Sequence, residues 1–237
     1  MFISTIFFLI VKIGVKLLPH IPTMEIVFFR CIISFFINFL ILKNQGIYIL
    51  GNNKFLLLMR GVFGTIGLYF YFLIIQNIPL ATASIIIYIT PIFTSIIGVF
   101  VLKEKINLLQ SLCIFFAFLG ILLIQGFDHR VTIDYLVLGL VGSFCAGCAY
   151  NIIRYLRDKE HSLVLVIYFP MIAFPIAGII SYFNWVNPSF NDLIILITIG
   201  IVTQIAQYFM TKSFQSEKVS TVSIVSYTEI ILVIAIG

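Results

Sequence analysis

Charge is what this sequence has least of. Asp, Glu, Lys and Arg make up 10% of its 237 residues, where a soluble domain carries about a quarter. So few charges cannot cover a water-facing surface, which excludes a soluble enzyme, a disordered chain and a soluble nucleic-acid binder. There is one Trp, and there are three His. His20, His129 and His161 lie far apart along the chain, and no H-E-x-x-H or similar spacing occurs, so no metal centre is expected. Cysteine is sparse as well. Cys31, Cys113, Cys145 and Cys148 all lie inside apolar runs and read as small packing residues rather than disulfides or redox groups. There is no phosphate loop: Gly61, Gly64 and Gly67 recur inside an apolar run with no Lys-Ser/Thr after them, a pattern of close helix packing. The first apolar run lacks a basic segment before it and a small-residue cleavage site after it, so it is a helix rather than a signal peptide.

What is abundant is apolar. Hydrophobic residues reach 62%, with 25 Phe, and mean hydropathy is +1.18. The apolar runs are continuous rather than alternating, which means spanning helices. At about 26 residues per span and loop, the chain holds roughly nine. Spans are expected at residues 2–18, 23–42 (with Thr23 as N-cap), 55–76, 81–102, 108–125, 135–155, 162–183, 193–212 and from 218 onward. Pro170 and Pro175 fall inside the seventh, where a membrane bundle tolerates them. With the N-terminus inside, Lys43, Lys54, Arg60, Lys103, Lys105, Arg154, Arg157, Lys159, Lys212 and Lys218 fall at or near the inner side, and only Arg130 lies in an outer loop. The positive-inside rule therefore puts the N-terminus in the cytoplasm.

The chain repeats itself. A shift of 138 residues lays ATASIIIYITPI (residues 81–92) on VSTVSIVSYTEI (residues 219–230), and Lys16 on Arg154. An odd number of spans per repeat turns the second copy upside down. The expected fold is all-α: a polytopic membrane helical bundle of two inverted five-helix repeats, residues 1–125 and 126–237. The second copy holds four spans, the tenth falling beyond Gly237, so the chain reads as a C-terminally incomplete copy. Inverted repeats imply alternating access with a site near the midplane at their interface.

Three segments carry a family resemblance: MEIVFFRCIISFF (residues 24–36), the Gly-rich run from Arg60 to Gln110 with its internal Pro91 and charged exit, and SFQSEKVSTVSIVSYTEI (residues 213–230). They resemble the drug/metabolite transporter superfamily, EamA-type. The Tyr227-x-Glu229 pair is similar to S-adenosylmethionine uptake carriers within it. The resemblance implies a secondary transporter that moves a small organic metabolite, S-adenosylmethionine or an amino-acid-like compound, across the inner membrane. It implies no covalent chemistry and no cofactor; the partners are the substrate and the bilayer, with a second copy as a candidate homodimer partner. The alternatives are a non-functional truncated remnant and a membrane enzyme. The latter would need a nucleophile–base or metal constellation at midplane depth, and none is visible.

Polar residues inside the spans are the site candidates, because each is costly in lipid. Glu229 lies near the middle of the last span and suits a substrate cation or a proton. Arg30 suits a carboxylate or phosphate. Glu25 and Lys12 are further candidates for ion or proton coupling, while Lys16 is near enough to the outer surface to snorkel. Gln204, Gln207 and Tyr208 form one polar stripe. Tyr69, Tyr88 and Tyr227 offer aromatic faces to a planar or cationic ligand. Asn151 reads as an interhelical hydrogen-bonding group, and Gly139, Ser143 and Gly147 as a small-residue packing face.

Overall fold

A computed structural model of the chain describes residues 1–104, 108, 111, 112, 115, 116, 119 and 133–228. The described residues form an all-helical bundle: α1 (Phe2–Lys16), α2 (Thr23–Asn44), α3 (Lys54–Asn77), α4 (Leu80–Ile87), α5 (Thr90–Leu102), α6 (Ile133–Tyr155), α7 (Ser162–Tyr182), α8 (Phe190–Ser216) and α9 (Val219–Ser226). Five of them, α2, α3, α6, α7 and α8, are long and apolar enough to cross a membrane. The span expected at residues 108–125 and the loop holding His129 and Arg130 lie outside the described residues, as do Cys113 and Glu229.

Two expectations change. The single span at 81–102 is two helices, α4 and α5. Pro91 has no N–H to offer the Ile87 carbonyl, and its ring crowds that oxygen; α4 ends at Ile87 and Pro91 opens α5. Pro170 and Pro175, by contrast, sit inside an unbroken α7. The N-cap of α2 is Pro22 rather than Thr23. The Thr23 hydroxyl donates instead to the Gln76 side-chain carbonyl.

That bond belongs to a staple that occurs twice. The Gln76 amide donates to the carbonyls of Leu18 (3.0 Å) and Ile21 (2.9 Å), tying the end of α3 to the turn between α1 and α2. Gln215 donates to the carbonyls of Arg157 (3.3 Å) and Glu160 (3.0 Å) and accepts from the Ser162 hydroxyl, tying the end of α8 to the turn between α6 and α7. Every partner in the second staple lies 139 positions after its counterpart in the first. Helix packing repeats at the same interval. Gly61 of α3 receives Ile172 of α7, and Gly200 of α8 receives Ile33 of α2. A basic residue also caps each set: Lys16 reaches the carbonyls of Ile75 (3.1 Å) and Ile78 (2.7 Å), and Arg154 reaches that of Gln215 (2.9 Å). Lys16 is therefore a helix cap rather than a snorkelling side chain. It and Arg154 lie 138 apart, so the interval read from sequence holds for α1 and α6 and grows by one residue beyond them.

The copies are inverted. The Met1 ammonium donates to Ser213 near the end of α8 (2.7 Å), and Arg154 at the end of α6 bonds Gln215 on the same helix. The start of α1 and the end of its counterpart α6 thus share one end of the bundle. Glu160 adds the turn before α3 to this end, accepting from the amides of Asn52 (2.7 Å) and Asn53 (2.6 Å). Arg154 brings in the exit of α5 through Glu104 at 2.9 Å. At the opposite end, Glu25 accepts from the Val186 amide (3.1 Å) and His20 meets Asp192 (3.1 Å).

The two staples sit at opposite ends and share no partner, so their losses should add. Gln76→Leu and Gln215→Leu should each cost about 1–3 kcal/mol by stranding buried carbonyls, with the double variant showing the sum in detergent unfolding curves. Gly61 and Gly200 are held to glycine by space: a Cβ at Gly61 would collide with Ile172 and lie 2.9 Å from the Tyr168 carbonyl, and one at Gly200 would lie 2.8 Å from the Ile33 Cβ. Gly61→Ala and Gly200→Ala should each destabilise by about 1–3 kcal/mol in the same measurement.

Candidate functional site: a cationic cavity between the halves

Residues that touch their own counterparts must lie near the axis relating the two copies. Arg30 and Phe169 are 139 positions apart, and the Arg30 guanidinium carbon stands 5.2 Å from the Phe169 ring centre. Tyr88 and Tyr227 are also 139 apart; their rings lie 6.0 Å centre to centre, and the Tyr227 hydroxyl donates to the Tyr88 carbonyl (3.2 Å). A cavity of about 160 Å³ lies between these contacts. Matched residues of the two halves line it, such as Thr5 with Ser143, Leu68 with Gln207 and Tyr71 with Met210.

The matched walls differ in charge. Lys12 of α1, Arg30 of α2 and Arg60 of α3 line the cavity at 1%, 4% and 2% exposure. Their counterparts in the second half are Tyr150, Phe169 and Ile199, all neutral. Among the described residues no Asp or Glu lines the cavity. The Lys12 ammonium lies 5.0 Å from the Tyr88 ring centre, 5.8 Å from that of Tyr71 and 3.5 Å from the Ser84 hydroxyl. The Arg30 guanidinium lies between the rings of Phe72 (5.3 Å) and Phe169, and Arg60 reaches the same Phe169 ring (5.6 Å). Buried cations over aromatic faces gain from the ring quadrupole, but the rings accept none of their in-plane N–H bonds.

Arg60 was expected near the inner side of the membrane, not at a site. The structure buries it on the cavity wall, and its own helix explains how. Position 64, one turn on, is Gly; a Cβ there would collide with the Arg60 Nη1 and lie 2.8 Å from Phe169. The Arg60-Gly61 and Gly64 spacing was the available signal, and it reads equally well as plain helix packing.

The other predicted residues divide. Tyr88 and Gln207 line the cavity with Arg30 and Lys12. Tyr227 is the cap of α9 and packs on Tyr88. Gln204 lies outside the lining and exchanges two bonds with Asn38 (both 2.7 Å), locking α8 to α2. Tyr208 also lies outside, half-buried with the Lys212 ammonium 6.0 Å from its ring centre, and Tyr69 packs on its neighbour Phe70. The stripe of Gln204, Gln207 and Tyr208 therefore does not act as one surface: the turn of the helix gives only Gln207 to the cavity. Glu25 is fully buried, but at the end of the bundle against Val186, apart from Arg30. Asn151 donates to the carbonyls of Thr94 (2.9 Å) and Gly147 (2.8 Å), joining α6 to α5. The register of 139 also sets Glu229 against Thr90, a cavity residue, rather than Pro91.

Comparison with known proteins bears on this arrangement. The chain is 31% identical over 212 residues to the pseudopaline exporter CntI of Pseudomonas aeruginosa, a match that covers 89% of this chain and 75% of that one. It is 26% identical over 249 residues to solute carrier family 35 member G1 of Mus musculus, covering 97% of this chain and 67% of that one. A crystal structure at 16% sequence identity superposes with a TM-score of 0.74 over 98% of this chain and 86% of the other, a likeness of fold. A family model described as "EamA-like transporter family" matches residues 1–126 and 134–237. With a helical bundle built twice in opposite directions, and with a family match that runs across both copies, the chain belongs to the EamA-like transporter family.

Proposed function

We propose that this membrane transporter is a secondary carrier that moves a small organic metabolite outward by alternating access, with the halves 1–125 and 126–237 rocking about the shared cavity. One observation carries the reading: the cavity lies on the axis of the inverted halves and takes matched residues from both. A site in that position keeps its contacts while the packing on either side of it exchanges. Export is favoured over uptake by the likeness to a protein named as an exporter.

The halves would turn about the α2–α7 crossing. The end of the bundle that holds Met1 also carries Lys43, Lys54, Lys103, Arg154, Arg157, Lys159, Lys212 and Lys218, which supports an N-terminus in the cytoplasm and an inner-membrane location. An amino-acid-like compound with a carboxylate fits this cavity better than S-adenosylmethionine, whose sulfonium and ammonium would face Lys12, Arg30 and Arg60. Glu229 and Lys12 are the groups we assign to proton or ion coupling.

In vesicles holding the purified chain, Leu68→Trp should fill the cavity. Counterflow of an amino-acid panel should then fall at least tenfold while the thermal unfolding curve stays near wild type. Unchanged counterflow in that variant would place the pathway elsewhere.

A further inference from the structure

The cavity has one corner with a specific chemical demand. Arg30 and Arg60 come from different helices and stand against one ring, that of Phe169. Their guanidinium carbons are therefore no more than about 11 Å apart, within reach of a single small molecule. Both side chains are more than nine-tenths buried. Arg30 leaves Nε and Nη1 without a hydrogen-bond partner, and Arg60 leaves Nε without one. Two like charges with open donors in a low-dielectric interior are unfavourable unless an anion completes them.

The structure offers no protein group for that task among the described residues: the three printed ion pairs, His20–Asp192, Arg154–Glu104 and Arg157–Asp158, involve neither arginine. Nor does packing account for the cations by symmetry. The second half fills the Arg30 and Arg60 positions with Phe169 and Ile199 and builds the same crossing with neutral side chains. The walls beyond the pair are aromatic and aliphatic, from Phe72, Tyr71 and Leu68. Lys12 stands on the same cavity wall, against Tyr71 and Tyr88.

We propose that Arg30 and Arg60 form an oxyanion seat, and that the transported molecule is an organic acid with at least two carboxylate or phosphate groups and an apolar body. The seat rests on the carrier reading above and names its substrate class. A guanidinium presents paired N–H donors that match the two oxygens of a carboxylate or phosphate. Two guanidiniums from separate helices select a molecule with two acidic groups over one with a single charge. Because all the cations belong to the first half, the acid is held by that half, and the neutral second half closes over its apolar body.

The test uses the full-length chain in detergent with citrate, glutarate, glucose 6-phosphate and putrescine as probes, read by thermal unfolding, alongside flux of the same labelled probes in vesicles. Citrate, glutarate or glucose 6-phosphate should raise Tm by several degrees at millimolar concentration, and putrescine should not; which of the three acts separates the carboxylate from the phosphate source. Arg30→Gln and Arg60→Gln should each cut that rise by more than half while leaving the ligand-free Tm equal or higher, since each removes a buried like charge. Arg60→Lys keeps the charge and loses the paired donors, so it should fold and bind at least tenfold more weakly. The proposal is overturned if no acid raises Tm, or if the double variant R30Q/R60Q responds as wild type does. A lower ligand-free Tm in both single Gln variants, with the acid response intact, would mark the arginines as structural and overturn it too. Acid binding without flux of any probe would sink the carrier reading and leave the seat; putrescine flux without an acid response would do the reverse.

Discussion

The crossing of α2 and α7 organises the molecule. Both helices are the second of their copy, both are apolar around most of their circumference, and each lays a large residue into a glycine of the other copy: Ile33 against Gly200, Ile172 against Gly61. At the crossing itself Arg30 meets Phe169, its own counterpart. A side chain that touches its counterpart cannot be far from the symmetry axis, so the same contact that joins the halves also defines where the cavity lies. Lipid supplies no hydrophobic drive for helix association, and close approach at small residues is what remains to hold such a crossing.

Around that crossing, hydrogen bonds do what water does in a soluble protein. The chain reverses direction at each end of the bundle, and each reversal leaves carbonyls without helical partners. Gln76 and Gln215 take four of them, Lys16 and Arg154 take more, and Glu160 takes the first amides before α3. These are all side chains that a sequence reading takes for polar surface or candidate ligands. The bilayer makes internal satisfaction obligatory, so polar groups at the ends of the bundle are spoken for. The polar groups left over gather at the middle, where Arg30 and Arg60 keep open donors.

Symmetry of backbone and asymmetry of charge together describe the site. Two copies with the same packing rules place matched residues around one space, yet every cation on its described lining belongs to the first copy. A symmetric frame suits a motion that exchanges two equivalent packings, and a one-sided set of charges suits a ligand that keeps the same partners throughout.

By itself the sequence determined the class of the protein, because 10% charge and unbroken apolar runs admit one solvent, the bilayer. It also determined the number and approximate bounds of most described helices, and the repeat to within one residue. Three things awaited the tertiary structure. The break at Pro91 and the continuity at Pro170 and Pro175 have the same local chemistry, and only the packing around each decides between them. The Gln204, Gln207 and Tyr208 stripe shares one helix face by spacing, but that face divides between Asn38 and the cavity. Arg60, grouped by position with the inner basic residues, reaches the cavity because Gly64 leaves a groove along α3 and Phe169 comes in from the other copy. Burial of a long side chain depends on what stands opposite it, and residues more than a hundred positions away are not in its local pattern.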